Sequence, residues 1–202
     1  MDRLPRRERE RLRHRQEILE AARKVIAARG LEGVTVEHVA REAEFAVGSI
    51  YRHFRSKEEL IEHLLIDLAE PLFEELEALP RSGRPFEEQL TTLIRVAHAH
   101  QVENLPVVQA FLSAPGSFPV PGTASGQRMQ EIWMRFFAAL DGVIRVGQAE
   151  GALAAGPPLP MVIALSGLMS NFTNWTLFGF APLADDVPAL VARAFLDGFR
   201  AR

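Results

Sequence analysis

Four side chains able to grip a polyanion crowd into one short stretch: Tyr51, Arg52, His53 and Lys57. Lys57 follows Ser56, and Ser56 with Glu59 has the spacing of a capping box that opens a helix. A cation in that first turn opposes the helix dipole, at a cost of about a few tenths of a kcal/mol. A phosphate placed there would be held by the ammonium and by the helix N-terminus together, which makes sense of an otherwise poor position. Arg52 brings a guanidinium that can bind guanine O6 and N7 through two parallel hydrogen bonds. Tyr51 and His53 are two apart on a short helix and point to different sides. Both still reach a groove if the end of that helix lies in it.

No comparable set suggests catalysis. The chain has no cysteine, which removes disulfide scaffolds, thiolate metal sites and thiol nucleophiles and is compatible with a reducing cytosol. Serine, histidine and aspartate occur without a nucleophile elbow or a metal motif. His98 and His100 look like a chelating pair, but on a helix they lie about 200° apart and cannot grip one metal. No enzyme activity, cofactor or metal is expected, and a cytoplasmic location is. The arginine-rich start has no apolar run behind it and does not read as a signal peptide.

The elements that must position these residues are helices. Strand signals are nearly absent, and the expected fold is all-α with about nine helices. Ile18, Ala22, Val25 and Ile26 give one apolar face that stops at Gly30. A short helix follows Thr35, with Val36, Val39, Ala40 and Ala43 inward, and another spans about Val47 to His53. Ile50 and Phe54, four apart, should pack inward and leave Val47, Gly48, Ser49 and Arg52 facing outward. Two short helices joined by a tight turn behind a supporting helix describe a helix-turn-helix. The charge agrees: residues 1–57 carry 14 basic and 9 acidic side chains, whereas residues 58–202 carry 9 and 17. The expected division is therefore a DNA-binding head, 1–57, and a helical body, 58–202.

The stretch from Thr35 to Leu60 resembles the signature of the TetR family of transcriptional regulators. The resemblance rests on Thr35 before helix 2, the Val39-Ala40 pair, and the run Gly48, Tyr51, His53, Phe54, Lys57 and Leu60. It covers about Ile18 to Ile61 and implies DNA contacts by Thr35, Val47, Gly48, Ser49, Tyr51, Arg52, His53 and Lys57. Two positions depart from it. Glu44 stands where the family usually has a turn glycine, and a left-handed non-glycine there costs about 1 kcal/mol. Ala46 replaces a polar residue before the recognition helix, so a cap worth about 1 kcal/mol is missing. Ahead of the match, Arg3, Arg6, Arg7, Arg9, Arg11, Arg13 and Arg15 form an extension that could follow the DNA backbone, enter the minor groove, or be solvated by Glu8 and Glu10.

In the body, aromatics and methionines gather late, as core or as the lining of an apolar cavity. The resemblance implies an effector pocket there, with His100, Asn104, Phe111, Trp133, Phe137, Met169, Phe172 and Trp175 as its residues and an apolar or aromatic effector. From Gly151 to Ala184 there is no charged residue at all. Pro157, Pro158 and Pro160 break that stretch, and Asn171, Thr173 and Asn174 interrupt the rest, so a buried helix rather than a membrane span is expected. The last two helices, Met161 to Phe178 and Val187 to Phe199, are implied to form a homodimer interface that presents two heads to a pseudo-palindromic operator. The expected function is a ligand-responsive DNA-binding regulator, a repressor. The competing reading is a helical small-molecule-binding or protein-interaction module with weak or lost operator binding.

Overall fold

A helix of 24 residues, α1 (Arg6–Arg29), opens the computed structural model, which describes residues 5–107, 124–177 and 186–201. It ends at Gly30, whose φ of 69° is costly for a side-chain-bearing residue and whose N–H still bonds Ile26 O at 2.9 Å. Two short helices follow, α2 (Val36–Glu42) and α3 (Val47–Tyr51), and then the long α4 (Lys57–Ala78), which continues into a 3-10 turn at Leu79–Arg81. The remaining helices are α5 (Phe86–Glu103), α6 (Ala124–Ala149), α7 (Leu159–Leu177) and α8 (Val187–Phe199). The described residues are almost wholly helical, and the fold is all-α as expected. The one extended contact among them is an isolated antiparallel bridge between Leu153 and Arg200.

The chain divides into two compact units. One comprises Met1–Leu68 with Pro106–Met129, the other Ala69–Leu105 with Gln130–Arg202. The first has its own core. Ile18, Ala22, Val25 and Ile26 of α1, Val36, Val39 and Ala40 of α2, Ile50 of α3, Phe54, and Leu60 and Leu64 of α4 bury together with Val107. This is the apolar face read from the spacing of α1, closed by the two short helices.

The core of the second unit is built mainly from four helix faces, joined by Leu76 at the end of α4 and Leu79 after it. Phe86, Leu90, Leu93, Ile94 and Ala97 of α5 meet Leu140, Val143 and Ile144 of α6, Leu165 and Met169 of α7, and Val191 and Phe195 of α8. Close approach is built in: a Cβ on Gly147 would stand 2.7 Å from the Phe86 ring, and one on Gly142 would stand 2.6 Å from Pro80 Cγ. The start of α5 has no capping side chain of its own. Its Phe86 N–H donates to Glu150 Oε2 at 3.0 Å, a cap supplied from the end of α6. The chain end is stitched down as well, with Ala154 N–H donating to Phe199 O and Ala201 N–H to Ala152 O. The uncharged segment forms α7, which buries Met161, Val162, Leu165 and Met169 but leaves Leu159 and Ile163 more than 60% exposed. Among the described residues no helix is long and apolar enough to cross a membrane.

Candidate nucleic-acid interface

The head holds α3 by its apolar side and leaves the other side open. Ile50 and Phe54 are each 1% exposed, while Gly48, Arg52 and Tyr51 are exposed. Thr35 caps α2, its hydroxyl accepting from His38 N–H at 3.3 Å. The turn from α2 to α3 runs through Glu44 with a φ of 58°, the left-handed conformation that the turn position demands. Phe45 N–H closes this turn onto Ala40 O at 2.9 Å. Ala46 precedes α3 without a side-chain cap, so both departures from the family pattern carry their local cost in the fold.

Arg52 follows the last turn of α3 rather than lying within it, because the helix ends at Tyr51. Its guanidinium donates to Ser49 Oγ at 2.7 Å, which fixes both side chains on one edge of the helix. Val47 is half-buried and packs partly against the core of the head, so it faces outward less than its position suggested. Gly48 is open: a Cβ there would meet nothing within 4 Å among the described residues. Lys57 is the first residue of α4, behind Ser56, whose Oγ accepts from Glu59 N–H at 3.2 Å. The Glu59 carboxylate reaches back to Arg55 N–H, one residue earlier than in a regular capping box. Beside Lys57, the Glu58 carboxyl is held below its ordinary value by its own backbone N–H and by the Ser56 hydroxyl.

His53 is half-buried beside the end of α3. Its ring meets His14 edge-on at 6.2 Å, and His14 in turn lies 5.1 Å from Phe45. Arg15 of α1 places its guanidinium 4.7 Å over the Phe54 ring. Burial first, then the nearby charges of His14, Arg52, Arg11 and Arg15, pushes His53 below the usual histidine value. Sequence reasoning missed this contact between α1 and α3. The signal was present, since His14 and Arg15 lie four and three residues before Ile18 and so share its face.

In the second unit the expected effector residues separate into groups. Asn104 is 7% exposed and donates through Nδ2 to His100 O at 2.9 Å, so these two meet at the end of α5. Trp133 and Phe137 stack on α6 with ring centres 5.9 Å apart, Trp133 remaining 47% exposed. Met169 is taken into the core, Phe172 packs against it, and Trp175 is 43% exposed. Phe111 lies outside the described residues. Gln101 of α5 donates to Asn174 Oδ1 of α7 at 3.3 Å. His98 is pushed below its ordinary value by burial, an effect that Asp186 partly offsets. No group of three or more metal-ligating side chains occurs among the described residues. The pattern also gave no sign of Arg135, which donates to Glu77 at 2.8 Å and Glu70 at 2.7 Å and lies 4.8 Å over the Phe73 ring.

A turn bearing Glu44, an outward α3 and a cation at the start of α4 are the parts of a DNA-reading helix-turn-helix. Residues 18–64 match the family model for bacterial regulatory proteins of the tetR family. The chain is 37% identical over 79 residues to the HTH-type transcriptional repressor KstR2 of Mycolicibacterium smegmatis, covering 39% of this chain and 38% of that protein. It is 27% identical over 141 residues to the HTH-type transcriptional regulator SrpR of Pseudomonas putida, covering 69% and 63%. The matched segments thus span less than two thirds of these curated relatives. The fold is shared with the transcriptional regulator FadR of Bacillus subtilis, crystallised with stearoyl-CoA, at a TM-score of 0.72 and 23% identity over 90% of this chain and 95% of that one. Residues 18–64 thus carry a segment of the tetR-family type, and the chain is similar to transcriptional regulators that bear it.

Proposed function

We propose that the chain is a homodimeric repressor that binds a pseudo-palindromic operator and is released by a small apolar or aromatic effector. The observation that carries this reading is the split of α3, with Ile50 buried and Gly48, Tyr51 and Arg52 exposed beside Lys57 at the start of α4. On this reading Arg52 and Ser49 read base edges. The backbone at Gly48 comes close to the groove, and Thr35, Tyr51, His53 and Lys57 hold phosphates. Residues 1–57 then form the head, and residues 58–202 form the effector-binding and dimerising body, in the cytoplasm.

The dimer is supported by the apolar surface that α7 leaves open in the single chain at Leu159 and Ile163, next to the stripe of α8. A two-fold pair would present recognition helices to half-sites about 34–36 Å apart or a multiple of that. An apolar effector is supported by the aromatic residues of α6 and α7 and by the stearoyl-CoA bound to FadR. To act as a switch the effector must favour the state whose heads no longer fit the operator, since equal affinity for both states shifts nothing. The strained Glu44 and the uncapped α3 favour a second reading, a helical binding module with weak operator affinity.

Selection of bound duplexes from a random pool, repeated with long-chain acyl-CoAs and apolar aromatics, tests the reading. An enriched palindrome released by one of these compounds is the expected result. A pool with no enriched palindrome favours the module, and an enriched palindrome that none of the compounds weakens removes the switch.

A further inference from the structure

The core-facing stripe of α1 does not stop at Ile18; it changes chemistry. Arg7, Arg11, His14 and Arg15 repeat the three- and four-residue spacing of Ile18, Ala22 and Val25 and lie on the same side of one unbroken helix. Where the stripe still has the head beneath it, it is in contact, through His14 against Phe45 and His53 and through Arg15 against Phe54. Further out, Arg11 and Arg7 are exposed.

Most of the arginines on the other side of α1 are paired with carboxylates of the same helix. Arg6 pairs with Glu10 at 3.0 Å, Arg13 with Glu17 at 3.5 Å and Arg23 with Glu20 at 2.9 Å. Among the described residues no carboxylate pairs with Arg7 or Arg11, and Glu8 stands only at the margin of their stripe. Charge is thus sorted around the helix: paired on the outer side at Arg6, Arg13 and Arg23, though not at Arg9, and cationic without carboxylate partners at Arg7 and Arg11 on the side that leads to His53 and Arg52.

We propose that this stripe is a second phosphate-binding surface, with Arg7 and Arg11 seated on the DNA backbone beside the half-site. The proposal rests on the reading of α3 as the DNA-facing helix. Two observations select duplex DNA as the occupant. The stripe is continuous with the end of α3 through the His14–His53 contact, and its charge complements phosphate. Because the backbone is helical from Arg6, the arginines are carried on a rod of fixed direction, not on a loose arm threaded into the minor groove. Such a rod adds affinity without reading bases.

The test uses the full chain and the duplex it enriches. Arg7→Gln with Arg11→Gln keeps the helix, because glutamine propagates it about as well as arginine. The plot of log affinity against log salt should become shallower by about 1.8 per head, for two lost phosphate contacts in each, or about 3.6 for the dimer, and affinity near physiological salt should fall on the order of tenfold per head. The enriched sequence should not change. Arg6→Gln with Arg13→Gln removes the same charge from the outer side and should leave the slope nearly as it was. Glu10→Pro unwinds the turn that carries Arg7 and should weaken binding even though a negative charge is lost. The proposal is overturned if the Arg7/Arg11 pair behaves like wild type or like the outer pair, or if Glu10→Pro binds as well as wild type. A wild-type chain that enriches no duplex overturns the reading of α3, and this proposal with it.

Discussion

His53 and Glu44 each hold a state that their own chemistry opposes. His53 is kept below the usual histidine value by burial and by the charges of His14, Arg52, Arg11 and Arg15. Below about pH 6.5 the unfolded chain accepts a proton that the folded head resists, so stability is present above that value and declines as pH falls. A phosphate beside the ring would act in the opposite sense, favouring the protonated form. Operator binding should then take up protons, and its affinity should rise between pH 7.5 and 6.0, by at most about tenfold per pH unit for each head. Fluorescence anisotropy with a labelled duplex measures this, and His53→Gln should flatten the profile. Glu44 holds a φ of 58° without the freedom of glycine. Glu44→Gly should stabilise the head by about 0.5–1 kcal/mol in urea unfolding, the relief of strain being partly offset by the flexibility that glycine gives the unfolded chain.

At the level of elements, tolerances differ sharply along α6. Gly147 lies against the Phe86 ring, so Gly147→Ala must displace a fully buried aromatic and should cost about 1–3 kcal/mol. Glu150→Ala should cost about 1 kcal/mol by leaving the Phe86 N–H at the start of α5 without its acceptor. Both are measured by the shift in urea midpoint. These contacts also mark what could be read in advance. The Ser56–Glu59 cap, the left-handed Glu44 and the uncapped Ala46 are local, and local patterns carry them. The Glu150 cap joins positions 64 residues apart, and Arg135 reaches carboxylates 58 and 65 residues away. No spacing rule announces such pairs, since they exist only once helices pack. The contact of His14 with His53 is intermediate. The face was legible, but only after α1 is known to run unbroken past Ile18.

For the whole molecule, the all-helical architecture followed from periodicity because α1, α4, α5 and α6 are long and carry apolar faces backed by polar ones. The roles of the expected effector residues were less legible, because a helical stripe of aromatics looks the same whether it lines a cavity or fills a core. Met169 went to the core while Trp133 and Trp175 stayed partly exposed. The proposed assembly makes a separate demand. Ile163→Glu on the open side of α7 should yield a monomer in sedimentation and lose most operator affinity, while Lys57→Gln should remain a dimer and lose affinity alone. The sole tyrosine, Tyr51, lies on α3 in the first unit, and both tryptophans, Trp133 and Trp175, belong to the second. The two halves therefore carry different intrinsic fluorophores. Excitation at the red edge, where only indole absorbs, reports the second unit alone, so titrations with a candidate ligand can be followed without label and without interference from Tyr51.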